Sequence, residues 1–147
     1  MPDDPIVDPT NVTKQSILNA IMAVQDTPKQ TFATGAQRDV ATGKGRFDLI
    51  SPIFLTELAL RLEKGAVQYG DRNWEKGMPF SRVYDSLTRH LTQWSNKQED
   101  EDHLINAACN LMFLIHYRAK IRSGELPPDL QNMGPPINGT AQSSNSS

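Results

Sequence analysis

The sequence predicts an all-α protein: a compact helical bundle completed by oligomerisation. Three observations carry this. Prolines stand outside two long stretches and open each of them, at Pro52 and Pro79; proline is tolerated in the first turn of a helix and expelled from its interior. Apolar residues within those stretches recur at spacings of three and four, the helical period. No run alternates valine- and isoleucine-rich positions with polar ones, so nothing marks a half-buried strand.

Taken in order, the first element is a weak helix over Val12–Val24, where Ile17, Ala20, Ile21 and Val24 line up. It belongs to an N-terminal extension, residues 1–30. The main domain, residues 31–123, contains three stronger helices. One runs from Pro52 to Tyr69, with Ser51 as N-cap and Gly70 as the stop; its stripe is Leu55, Leu58, Leu62, Ala66 and Tyr69. The next runs from Pro79 to Ser95 and carries Phe80, Val83, Tyr84, Leu87, Leu91 and Trp94. After a polar break at Asn96–Asp100, the last spans Glu101–Arg122 and is apolar nearly all round, from Leu104 to Ile115. Such a helix is buried centrally or in an oligomer interface. A core of about ninety residues is marginal alone, so homo-oligomerisation, as dimer or tetramer, is expected. Residues 124–147, rich in Pro, Gly, Ser, Asn and Gln, read as a disordered tail.

Composition narrows the function. With 15 Lys+Arg against 17 Asp+Glu the formal net charge is −2, and the pI is near 5.9. A dedicated nucleic-acid binder would show a basic face and a pI above about 9, and no helix face here is cationic enough for a helix-turn-helix. No apolar run approaches the ~18 residues of a membrane span, and the N-terminus lacks the basic and apolar regions of a signal peptide; a cytoplasmic location without membrane contact is expected. The lone Cys109 excludes an intramolecular disulfide and a cysteine zinc cage.

Several groups could carry chemistry. Residues 34–50 hold three glycines with Arg38, Lys44 and Arg46, a composition suited to cradling phosphate and equally to a flexible basic loop. It is not a Walker loop, because Gly45 follows Lys44. On the last helix Asp102, His103, Asn106 and Asn110 form one polar strip, which must be hydrogen-bonded, liganded or facing a cavity. The acidic run Glu99–Asp102 either stabilises the helix start or turns inward as ligands for a hard divalent cation. Glu63 has Ala59, Leu60, Ala66 and Val67 as helical neighbours, a partly desolvated setting typical of metal ligands and general bases.

By spacing alone Glu57 lies on a polar face with Arg61, Lys64 and Gln68, and Asp85 pairs with Arg82 or Arg89 across a surface. His90 is a core-edge histidine or a ligand. Between the first two strong helices, the aromatic pair Tyr69 and Trp74, framed by glycines with Arg72 and Asn73 beside it, suits stacking on a base and bonding its edge, or Trp74 anchors the loop. No Ser/His/Asp or Cys/His set is signalled, and the His-Asp dipeptide of HD-type phosphohydrolases is absent: the order here is Asp102-His103.

The succession Thr34-Gly35-Ala36-Gln37-Arg38-Asp39, Gly43–Ile50, Gly65-Ala66-x-x-Tyr69-Gly70-x-x-Asn73-Trp74, Arg89-His90-Leu91 and Glu101-Asp102-His103-Leu104-x-x-Ala107-Ala108-x-Asn110 resembles the phage dATP/dGTP diphosphohydrolases. These MazZ-like enzymes look like compact relatives of the MazG-type all-α NTP pyrophosphatases. The resemblance covers Thr34 to Arg118. It implies hydrolysis of a purine deoxynucleoside triphosphate, dGTP or dATP, to monophosphate and pyrophosphate. It implies Mg²⁺ or Mn²⁺, two or three ions per site, and a role supplying dGMP for 2-aminoadenine nucleotide synthesis in the host cytoplasm. The classical MazG-type pattern of Glu-x-x-Glu on one helix and Glu-x-x-Asp on the next is missing from the expected helices.

The expected metal ligands are Glu57, Glu63, Asp85, Glu101 and Asp102, with Glu63 and Asp102 catalytic. Arg38, Lys44, Arg46, Asn73, Trp74, Arg89, His90, His103, Asn106 and Asn110 are expected to meet substrate. The rival expectation is a non-catalytic nucleotide-binding or phage assembly module with the same bundle.

Overall fold

The structure, a computed structural model, describes residues 14–25 and 28–137; the start of the expected extension and the end of the expected tail lie outside them. The chain divides into two compact units, Met1–Ile50 and Ser51–Ser147.

In the first unit, α1 (Lys14–Gln25) carries the weak stripe. It is followed by a two-stranded antiparallel hairpin, β1 (Lys29–Thr31) with β2 (Gln37–Asp39), paired Lys29 to Asp39, Gln30 to Arg38 and Thr31 to Gln37. The sequence reading has no sheet here. The strands are three residues each and polar throughout, so they carry no alternation to detect. The turn closes through Phe32 N–H on Ala36 O (2.9 Å) and Gly35 N–H on Phe32 O (2.8 Å), and Gly35 takes the left-handed φ of 83° that glycine tolerates best.

The second unit is the bundle, and the fold class is helical as expected. Helix α2 (Pro52–Tyr69) starts as its sequence dictates: the Ser51 hydroxyl accepts the Phe54 N–H at 3.3 Å and Pro52 occupies the first turn. A short 3₁₀ turn, Asn73–Lys76, leads to α3 (Phe80–Ser95). Helix α4 (His103–Arg122) is capped by Asp102, whose carboxylate accepts the Ile105 N–H at 3.2 Å. It packs chiefly against α3 and also against α2. The core lies on its inward side: Val83, Ile105, Ala107, Cys109, Tyr117 and Ile121 are buried. No helix among the described residues is long and apolar enough to cross a membrane.

The expectation of disorder from residue 124 does not hold through 137. A 3₁₀ turn at Pro128–Leu130 packs beside Gly77, and Ile137 is buried. Asn132 accepts the Ser81 N–H (2.9 Å) and donates to the Ser81 hydroxyl (2.7 Å). The N-cap of α3 is Pro79, which offers no side-chain hydrogen bond, so Asn132 satisfies a first-turn donor from 51 residues away. Composition signals disorder in this stretch, while three apolar anchors, Leu126, Leu130 and Ile137, hold it down.

Candidate functional site

Within the bundle, α2, the Asn73–Lys76 turn, α3 and α4 enclose a cavity of about 780 Å³, inside the ~300–1,000 Å³ range of small-molecule sites. Of the residues expected at a site, it gathers Glu63, Asn73, Trp74, Arg89, His90 and Asn110. It adds Tyr69, read both on the α2 stripe and in the stacking pair, and Arg61, Cys109 and Phe113, which the sequence reading assigned elsewhere or to packing.

Glu63 is exposed at the cavity rim rather than desolvated, because its small and aliphatic helical neighbours do not cover it. Trp74 anchors its loop and also lies at the cavity wall. Its ring lines the cavity, yet one face stacks on Phe113 (centroids 4.9 Å apart, 15° between planes) and His116 meets it edge-on. Its carbonyl accepts the Tyr117 hydroxyl at 2.5 Å. Burial pushes the Tyr117 phenol up to about 12. Burial likewise raises the Cys109 thiol above its ordinary value, so this thiol is a poor nucleophile.

The polar strip on α4 divides. Asp102 is exposed and accepts the first-turn Ile105 N–H through one carboxylate oxygen, outside the cavity lining. Asn106 does not line the cavity. It is buried, accepts from Arg61 Nε at 2.5 Å and donates to Glu101 at 2.6 Å. Arg61, read from spacing as part of a polar face, is therefore half-buried and linked to α4. Asn110 lines the cavity and donates to the Asn106 carbonyl at 2.8 Å.

His103 is also buried away from the cavity, between Asp100 (Nε2 to Oδ1, 2.9 Å) and His90 (Nδ1 to Nδ1, 3.1 Å). Desolvation first, and then the Arg89 guanidinium, hold the His90 imidazole below the usual histidine range. The hydrogen bond from His103 holds the Asp100 carboxyl below its ordinary value.

The expected acidic ligands are not assembled. Glu57 is exposed, and Asp85 is exposed and paired with Arg82 at 3.4 Å, the surface pair that spacing suggests. Among the described residues, the group of three or more donors close enough to share a metal is His90, Glu101 and His103; only Glu101 of the expected five belongs to it. Arg38, Lys44 and Arg46 lie in the first unit. Arg38 is on β2, Lys44 follows the turn at Ala41, and Arg46 is bound to Asp48 at 2.5 Å, an exposed pair.

Residues 34–125 match the family described as dATP/dGTP diphosphohydrolase, N-terminal. A relative from Salmonella phage PMBT28, named dATP/dGTP diphosphohydrolase, is 38% identical over 77 residues, covering 49% of this chain and 26% of the relative. The chain thus matches about a quarter of that protein's length. No solved structure gives a significant match.

Proposed function

The chain belongs to the dATP/dGTP diphosphohydrolase N-terminal family, and from that premise we propose that it hydrolyses a purine deoxynucleoside triphosphate, dGTP or dATP, to the monophosphate and pyrophosphate. The observation that carries this reading is the cavity: three guanidinium groups, Arg61, Arg72 and Arg89, and three aromatic rings, Tyr69, Trp74 and Phe113, line one enclosure of nucleotide size. Phosphates need the first and a base stacks on the second.

In the proposed reaction a water oxygen bonds to the α-phosphorus while the α–β bridging bond breaks, and pyrophosphate leaves. Glu63, a carboxylate at the rim, orients that water and takes its proton. Arg61 and Arg89 offset the charge that develops on the phosphoryl oxygens. Asn73 and Asn110 present amides to the nucleoside.

Divalent ions, Mg²⁺ or Mn²⁺, belong to this reading. The donor chemistry of His90, Glu101 and His103 fits the Mn²⁺ alternative, and His90 also lines the cavity. When bound, the ion supplies charge neutralisation and lowers the pKa of a coordinated water. The same reading carries a phage-encoded role in host cytoplasm, supplying dGMP for 2-aminoadenine nucleotide synthesis, and self-association through the apolar surface of α4.

The test is incubation with each dNTP and either metal, with products resolved by anion-exchange chromatography. Monophosphate and pyrophosphate from purine substrates are expected, with a loss of about a hundredfold or more in kcat for Glu63→Gln, the range of general-base contributions. Absence of turnover with every dNTP would contradict the reading.

A further inference from the structure

We infer that His90, His103 and Glu101 form a centre for a first-row transition-metal dication, taken up in preference to Mg²⁺. The inference rests on the functional reading above only for the ion's use in turnover; the site itself stands on geometry.

His90 projects from α3 and His103 opens α4, and both rings are buried, 6% and 2% exposed. Their Nδ1 atoms face each other at 3.1 Å. Two bare ring nitrogens at that distance repel, so a proton or a cation must lie between them. Metal–imidazole bonds of about 2.1 Å at tetrahedral to octahedral angles put two nitrogens roughly 3.0–3.4 Å apart. The Glu101 carboxylate supplies the third donor, with all three ligand atoms within 4.8 Å of one another.

The surroundings are those of a prepared site. Asp100 accepts from His103 Nε2 at 2.9 Å, which fixes the tautomer with its lone pair on Nδ1, the usual carboxylate–histidine–metal arrangement. Glu101 is held at 2.6 Å by Asn106, itself held by Arg61, as ligating carboxylates are held by hydrogen bonds. Two imidazoles and one carboxylate suit Mn²⁺, Fe²⁺, Co²⁺ or Zn²⁺, whereas Mg²⁺ prefers oxygen donors and keeps its waters.

The experiment uses the full chain, stripped with chelator and titrated with Mn²⁺ while the free-ion signal is followed by electron paramagnetic resonance. One Mn²⁺ per chain is expected, with ¹⁴N hyperfine coupling from imidazole in pulsed spectra and retention against a hundredfold excess of Mg²⁺. Glu101→Gln, which keeps an amide oxygen to accept from Asn106, weakens uptake at least tenfold while the metal-free protein still melts in one cooperative transition, and His103→Gln lowers uptake further. The wild-type ¹⁴N signal keeps the test valid if a histidine variant does not fold. No stoichiometric uptake, uptake without nitrogen coupling, or displacement by equimolar Mg²⁺ overturns the inference. Uptake without dNTP hydrolysis contradicts the functional reading and leaves this centre standing; Mg²⁺-driven hydrolysis without Mn²⁺ uptake does the reverse.

Discussion

Arg61 Nε donates to Asn106 Oδ1 at 2.5 Å, tying α2 to α4 across 45 residues of sequence. The same asparagine donates to Glu101, so one buried amide satisfies both a cation and a carboxylate. Removing it strands partners whose hydrogen bonds to charged groups are worth about 1.5–3 kcal/mol each before relaxation.

Asn106→Ala is therefore expected to lower unfolding free energy by about 1–3 kcal/mol, measured by urea denaturation. Because it also frees Arg61 and Glu101, it should weaken metal uptake and raise KM for dNTP. A change below about 0.5 kcal/mol would show that the bridge is not formed in solution.

Tyr117 couples stability to alkaline pH. Its folded-state pKa of about 12 lies above the ordinary tyrosine value of 10.0, so its contribution is fully present below pH 10 and is lost as pH rises from 10 toward 12. The wild-type Tm should fall through that window. Tyr117→Phe removes this step and leaves the Trp74 carbonyl unpaired, lowering stability near neutrality by about 1–3 kcal/mol. An alkaline fall that persists unchanged in the variant would assign it to other groups.

Much of the fold is legible because its boundaries carry their own chemistry. Ser51 and Pro52 start α2, Gly70 stops it, and Asp102 caps α4, each through a local contact within a few residues. What sequence cannot convey is pairing across elements. Nothing in the spacing of thirteen between His90 and His103 says that their rings meet, and Arg61 reads as surface until α4 is laid beside it. The polar hairpin and the apolar pins of residues 124–137 escape for a related reason: composition averages over the few side chains that decide.

Gly77 reports on that last segment. Its φ of 93° suits glycine, and an added Cβ would come within 2.6 Å of Leu130 and 3.3 Å of Leu126. Gly70 has a similar φ of 90° with nothing within 4 Å. Gly77→Ala should cost more than Gly70→Ala, whose loss is backbone strain alone at about 1–2 kcal/mol. Equal Tm shifts would mean that the 126–130 contact does not form.

Leu104, Leu111 and Ile115 form an exposed stripe on α4, each about half accessible. Self-association would cover these side chains. Analytical ultracentrifugation should give a dimer or tetramer, and Leu111→Lys with Ile115→Glu should shift it toward monomer. A wild-type monomer at all concentrations would remove self-association from the account.

The central claim is the position of bond cleavage. Turnover of dGTP in H₂¹⁸O, read by mass spectrometry, should place one ¹⁸O atom in dGMP and none in pyrophosphate, as attack at the α-phosphorus requires. Release of inorganic triphosphate with deoxyguanosine, or label confined to pyrophosphate, would contradict it.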